Sequence, residues 1–175
     1  MTETTLLAVE LGTRELGFAV FQRGRLVQSG VKSLRRTNPH ANRVTVLKRV
    51  FTSLIEQNAP SAIVVVRQEV NLEPQNDIRR RLFEAVKLMA ENNKLLKHEY
   101  PMSTVKKTVT GESRATNRRV ASVLCGIYPH FTNHLECKQK WRKRYIQHMF
   151  DAVACGLTHL TLETPNSNDD NEVKN

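Results

Sequence analysis

The chain has 175 residues, 39% of them hydrophobic, which is enough for one complete hydrophobic core. Its 27 Lys and Arg residues outnumber 17 Asp and Glu residues, for a formal net charge of +10. This balance favours a polyanionic partner, either nucleic acid or an acidic membrane surface, although a basic soluble protein without such a partner remains an alternative. No stretch approaches the roughly 18 apolar residues of a membrane span, and the N-terminus lacks the basic segment of a signal peptide. We therefore expect a cytoplasmic protein.

The first third of the chain predicts an antiparallel meander followed by a helix. Apolar and β-branched runs at 5–12 and 17–22 flank the glycine-containing turn GTRELG, and a third strand fits within 24–34. Apolar residues at helical spacing then predict a helix within 39–60, which Pro60 ends.

The remaining two thirds predict alternating strands and helices. The β-branched run 61–70 is typical of a parallel strand that is buried on both faces. After it we expect a helix at 76–96, a strand at 97–102, a loop at 103–116, a helix from 117, a last helix at 144–163 and a disordered tail at 164–175. The order of these elements predicts one α/β domain, residues 1–163. Its mixed central sheet, a three-stranded antiparallel meander plus parallel strands, is flanked by helices. This is the element order of the RNase H-like fold.

Three segments resemble the RuvC family of Holliday junction resolvases. They are AVELGTRELGFAVF (8–21), EYPMSTVKKTVTGESRATNRRVASVL (99–124) and HMFDAVACGLTH (148–159), and they occur in the family's order. The last is similar to the family signature Asp-Ala-x-Ala-x-Ala-Leu-Thr-His. The resemblance implies an RNase H-like nuclease domain, usually a homodimer, that cuts branched DNA with Mg²⁺ or Mn²⁺.

The resemblance also implies a set of metal ligands. Glu10 stands where the family has Asp, and its alternative role is an ordinary polar residue at a strand end. His148 and Asp151 share a helix face and match family positions that carry two acids, or His followed by Asp; otherwise they are an exposed polar pair. Two-metal hydrolysis needs such hard ligands gathered from distant segments.

The second family acid has no direct counterpart. Its position near the end of the fourth strand falls on Val66, and the nearest acid is Glu69, three residues later. Alternation places Glu69 on the opposite face of the strand. A β-bulge could turn it toward the site; without one, this ligand is missing.

Several cations match DNA-contacting positions or lie near them. Lys106 matches a family lysine near the scissile phosphate, and Lys107 follows it. A second family lysine aligns with Asn117, and Arg118 and Arg119 could replace it. The basic run 138–145 interleaves cations with aromatic residues, a pattern suited to nucleic acid, or else forms a solvated loop. Its proposed DNA-binding residues are Lys138, Lys140, Trp141, Arg142, Lys143 and Arg144.

The sequence thus predicts a homodimeric endonuclease of DNA recombination and repair that nicks four-way junctions with two divalent ions. The proposed ligands are Glu10, Glu69, His148 and Asp151, and Lys106 contacts phosphate. The altered first acid and the displaced second acid keep an alternative open: a catalytically inactive relative that binds DNA or a protein partner.

Overall fold

The computed structural model describes residues 4–35, 42–67, 74–135 and 139–163, with the backbone alone for 74–76, 140 and 141. Two residues proposed from the sequence, Glu69 and Lys138, lie outside these ranges. The predicted disordered tail at 164–175 also lies outside them, so the domain limits stay a prediction.

A mixed sheet forms the centre of the described structure. Its strands are β1 (Thr5–Leu11), β2 (Glu15–Gln22), β3 (Arg25–Ser33), β4 (Ala62–Arg67) and β5 (Leu96–Pro101). The first three strands form the predicted meander, and β4 and β5 extend it in parallel beyond β1, in the order β3-β2-β1-β4-β5. The turn between β2 and β3 has φ of 52° at Arg23 and 73° at Gly24, and such positive values suit the tight turns of two-residue hairpins. The predicted mixed α/β sheet is confirmed.

Helices cover both faces of this sheet. Within the described ranges they are α1 (Arg43–Asn58), α2 (Pro74–Asn92), α3 (Met102–Thr110), α4 (Asn117–Ile127), α5 (Thr132–Leu135) and α6 (Lys140–Glu163), with a 3-10 turn at Pro129–Phe131. One buried core lies between the sheet and α1 and α2, and the other between the sheet and α3, α4 and α6. None of the described helices is long and apolar enough to cross a membrane.

The structure differs from the sequence prediction most at two helices, and the short α5 was also not predicted. Residues 103–110, predicted as part of a loop, belong to α3, because Val105 is fully buried in the core and Gly111, with φ of 83°, ends the helix. The threonines and lysines in this segment hide its apolar spacing. The last helix begins at Lys140 and not at Arg144, so the end of the basic run 138–145 is helical and does not form a loop.

Candidate metal centre

The alternation of β1 determines the face on which Glu10 lies. Leu6 and Ala8 belong to the core beneath α6, whereas the intervening Leu7 and Val9 belong to the opposite core. Glu10 continues the first set, and it is buried, with 8% of the residue exposed. The carboxylate therefore lies between β1 and α6 instead of in solvent.

Two glycines let α6 approach the first hairpin closely. Gly17 pairs with Glu10 across the β1–β2 ladder, and a Cβ atom there would lie 1.9 Å from the backbone oxygen of His148. A Cβ atom on Gly12 would lie 2.6 Å from Cε1 of the same histidine. Since real Cβ atoms do not approach so closely, the pattern GTRELG serves the packing of α6 as well as the turn.

His148 lies between two carboxylates. Its Nδ1 atom contacts Oε2 of Glu10, and its Nε2 atom is 3.9 Å from Oε2 of Glu15. Burial acts to lower the pKa of His148, but the hydrogen bond with Glu10 and the neighbouring carboxylate charges outweigh burial. The pKa of this imidazole therefore lies above its ordinary value.

Asp151 lies one helical turn further along α6 and is also buried. Its Oδ1 atom accepts a hydrogen bond of 2.7 Å from Nε2 of Gln147. Burial, followed by the charge of Glu10, raises the pKa of Asp151 to about 7, although Gln147, His148 and Lys106 act in the opposite direction. The effect of Lys106 on this pKa places its ammonium within electrostatic reach of the cluster.

The donor set suits a divalent cation. Carboxylates that crowd together in a buried place are stable when a cation neutralises them, and oxygen ligands are what Mg²⁺ and Mn²⁺ prefer. Asp151 and Glu10 are crowded in this way, and burial together with the Glu10 charge raises the pKa of the Asp151 carboxyl. Imidazole fits Mn²⁺ better than Mg²⁺.

Glu10 and His148 are thus in contact, Asp151 lies within electrostatic reach of both, and the fourth proposed ligand stays open. Val66 is buried in the core beneath α6, so the position matched to the second family acid is filled by an apolar side chain. Glu69 lies outside the described residues. A carboxylate that sequence reasoning missed, Glu15, lies beside His148 instead. The sequence contains a signal for Glu15, because alternation along β2 places it on the same face as Gly17, the partner of Glu10.

A cationic cavity adjoins the centre on one side of α6. His148, Glu15 and Tyr145 contribute to its wall, and the Tyr145 hydroxyl donates to the Val31 carbonyl at 3.0 Å, which fixes this ring to β3. Nε of Arg79 is buried and has no hydrogen-bond partner among the described residues. The cavity's four arginines are Arg14, Arg35, Arg79 and Arg144; of these, Arg144 alone is among the DNA-binding residues proposed from the sequence.

A second groove lies on another side of α6. Arg118 and Lys143, both proposed from the sequence, line it together with Gln147. Lys107, Arg119 and Arg142 are exposed; Lys140 and Trp141 lie in α6, but the structure describes only their backbone. Of the predicted cations, Arg144 lines the first groove, Arg118 and Lys143 line the second, and Lys107, Arg119 and Arg142 line neither.

Comparison with known proteins identifies relatives of the whole fold. The family model for crossover junction endodeoxyribonuclease RuvC matches residues 6–159. The RuvC protein of Pelodictyon phaeoclathratiforme is 30% identical over 121 residues, 66% of this chain and 63% of that protein, which is less than two thirds of its length. The RuvC protein of Chlamydia pneumoniae is 26% identical over 128 residues, 70% of this chain and 76% of that protein.

Solved structures share the architecture at lower identity. Thermus thermophilus RuvC in complex with Holliday junction substrate has a TM-score of 0.68 and 20% identity, with 90% of this chain and 93% of that chain covered. The yeast mitochondrial Holliday junction resolvase has a TM-score of 0.64 and 14% identity, with 89% and 77% covered.

The sheet order and these neighbours define an RNase H-like fold, here with a carboxylate cluster between its first strand and last helix. Because the family model matches nearly all of the described chain, the chain belongs to the RuvC family of crossover junction endodeoxyribonucleases. The predicted fold and family are thus confirmed.

Proposed function

We propose that this protein is a structure-selective endonuclease that nicks four-way DNA junctions by metal-dependent phosphodiester hydrolysis. The observation that carries the proposal is the meeting of Glu10, His148 and Asp151 in one buried cluster, within a chain of the RuvC family. These residues come from opposite ends of the sequence, and chance surface acids would not be held together by glycine-permitted packing.

Glu10, His148 and Asp151 would hold the divalent ions, and Glu69 stays a proposed fourth ligand. The ions, when bound, supply activation of water and stabilisation of charge on the phosphate oxygens. Glu15 supplies a further carboxylate beside His148, on the side that faces the cationic cavity. We propose that Glu15 compensates in part for the apolar Val66.

The cationic side chains would bind the DNA phosphates and orient the DNA at the candidate centre. The arginine-lined cavity opens beside His148, so a phosphate there would lie next to the cluster and could accept a hydrogen bond from the unpartnered Nε of Arg79. Lys106 interacts electrostatically with Asp151 and would offset negative charge beside it. Lys107, Arg118, Arg119, Lys143 and the remaining basic residues of 138–144 would contact more distant phosphates.

The partner we propose is a four-way DNA junction bound by a homodimer. A Holliday junction has two equivalent strands to cut, so two copies of one centre related by a two-fold axis fit its symmetry. The solved complex of Thermus thermophilus RuvC with such a substrate supports this choice of DNA.

A second candidate function is binding of junction DNA without cleavage. Val66 favours it, because this buried apolar side chain stands where the family's second acid is expected. The cations of both grooves would serve either function equally.

Cleavage of labelled DNA separates the two candidates. Purified protein is incubated with four-way, duplex and single-stranded DNA in Mg²⁺, Mn²⁺ or EDTA. We expect paired nicks in the junction alone, with a divalent ion, and more than a hundredfold slower cleavage by Asp151→Asn. Asp77→Asn, an exposed acid on α2 paired with Arg80, is the matched control and should cut normally. Tight junction binding without nicks in either metal would favour the second candidate.

A further inference from the structure

A second cluster of metal-ligating side chains lies near the end of α6, where β5 side chains meet that helix. It consists of His98, His159 and Glu163, each of which offers one ligand atom within 4.8 Å of the others. His159 comes eight residues after Asp151, so about 12 Å along the helix separates it from the candidate metal centre. The cluster is therefore a distinct place in the fold.

The backbone holds these three side chains toward one another. His159 and Glu163 are four residues apart on α6 and share a face. His98 lies on β5, where its partner Val64 belongs to the core beneath α6. The two imidazole rings lie with centroids 4.3 Å apart, and Nδ1 of His98 is 4.0 Å from Oε1 of Glu163.

Tyr100 orients one of the imidazoles. Its hydroxyl lies 3.2 Å from Nδ1 of His159, and the tyrosine is two residues after His98 on the same strand. A histidine that binds a metal through one ring nitrogen usually has the other nitrogen held by a hydrogen bond, which fixes the ring and its tautomer. With Nδ1 engaged, Nε2 of His159 is the atom available for a ligand.

We propose that His98, His159 and Glu163 form a site for a borderline divalent cation such as Zn²⁺, separate from the candidate nuclease centre. Zn²⁺ binds imidazole nitrogen and carboxylate oxygen at about 2.0–2.2 Å, which places tetrahedral ligands about 3.3–3.6 Å apart. The cluster needs to contract by roughly an ångström to reach that geometry. Glu163 can move because 57% of its side chain is exposed, and His98, with 32% exposed, leaves a path from solvent.

The chemistry of the donors separates this site from the other one. Two imidazoles and one carboxylate favour Zn²⁺, Co²⁺ or Ni²⁺ over Mg²⁺, which prefers oxygen ligands throughout. Three protein ligands leave a fourth position for water. A bound ion would tie the last turn of α6 to the edge strand β5.

Titration with Co²⁺ tests the site in the full chain, because tetrahedral Co²⁺ absorbs visible light whereas octahedral Co²⁺ absorbs it only weakly. The titration uses the Asp151→Asn protein, freed of metal and held in millimolar Mg²⁺, so that the nuclease centre does not compete. We expect one equivalent of Co²⁺ to give the visible band and Zn²⁺ to displace it. His98→Gln and Glu163→Gln should each weaken Co²⁺ binding at least tenfold.

The matched control is His134→Gln, a histidine on α5 outside the cluster, which should bind Co²⁺ as the parent does. Thermal unfolding gives a second readout: Zn²⁺ should raise the melting temperature of the parent, and His98→Gln should lose this rise. The proposal is overturned by the absence of a visible band, or by equal Co²⁺ affinity in the parent, His98→Gln and Glu163→Gln proteins. Because the nuclease centre is disabled throughout, these results do not depend on the proposed function.

Discussion

Among the described residues, Asp151 has surroundings that strongly disfavour its negative charge. It is buried and near Glu10, and its pKa of about 7 means that the folded chain retains a proton that a free aspartate would release. A divalent ion removes the conflict, because the cation compensates both carboxylates at once. Metal binding should therefore release a proton near neutral pH and strengthen as the pH rises through 7.

In the metal-free protein, the free energy of unfolding should depend on pH because Asp151 binds this proton only in the folded state. The ordinary aspartate pKa of 3.8 applies to the unfolded chain, so between about pH 4 and 7 the folded state binds more protons than the unfolded state does. The stability contributed by protonated Asp151 is thus lost as pH rises across that window. In EDTA, we expect Asp151→Asn to be more stable than the parent by an amount that grows with pH and levels off above 7, at up to about 4 kcal/mol.

Urea unfolding at a series of pH values measures this difference. Asp77→Asn is the control: it removes an exposed ion pair and should change the stability by less than about 1 kcal/mol at every pH. A difference between Asp151→Asn and the parent that does not vary with pH would contradict the assigned environment of Asp151.

Glu15 offers a second prediction at this scale. Its carboxylate is 3.9 Å from Nε2 of His148, so Glu15→Gln removes negative charge from the centre without removing volume. We expect at least tenfold slower junction cleavage with little change in junction affinity, measured by single-turnover kinetics and gel shift. Glu56→Gln, on the exposed side of α1, should cut at the parental rate. Normal cleavage by Glu15→Gln would remove this residue from the proposed site.

The contact between the β1–β2 hairpin and α6 sets the geometry of the candidate centre. Gly17 lies against the backbone of His148, and Gly156, further along α6, lies against the Phe21 ring of β2. Small residues on both elements allow the helix to lie directly on the sheet. The distance between Glu10 and the side chains of α6 depends on this close packing.

Enlarging Gly17 should therefore displace α6. In Gly17→Ala the new methyl would meet the His148 carbonyl at 1.9 Å, and we expect a loss of about 1–3 kcal/mol in the free energy of unfolding, together with loss of cleavage. Gly126→Ala is a matched control, because nothing lies within 4 Å of a Cβ atom there and the residue is inside α4. Alanine at that helical position should stabilise the chain by roughly 0.5–1 kcal/mol. Equal unfolding free energies for the two variants would show that α6 is free to shift.

The sequence predicted the elements whose periodicity is strong and missed those that tertiary packing determines. The meander and β4 follow from continuous apolar runs, and the proposed ligands on α6 follow from a distinctive motif. α3 was missed because only a few apolar residues, Val105 among them, bring a polar segment into the core. Glu15 was missed because its relevance depends on the position of His148, which is distant in the sequence.

At the scale of the whole molecule, the chain has a net charge of +10, and two grooves beside α6 are lined in part by cationic side chains. Each phosphate contact releases counterions, so the affinity for junction DNA should fall steeply with salt. In Arg79→Gln/Arg144→Gln, which removes two cations of one cavity, the slope of log affinity against log salt should become shallower by about 2. Fluorescence anisotropy at several salt concentrations measures this slope.

Arg25→Gln provides the control for the salt dependence. Arg25 is exposed at the opposite end of the meander from the cationic cavity, so its loss should leave the slope unchanged. Identical slopes for the parent and the double variant would exclude the arginine cavity from the DNA path.

The pairing of Glu10 with His148 also bears on how the protein is made. These residues are 138 positions apart, so the first strand of the sheet meets a helix that is synthesised much later. The amino-terminal meander can form early during synthesis, but the candidate centre cannot assemble until α6 has emerged from the ribosome. A translation product that ends before α6 would therefore lack the candidate metal centre.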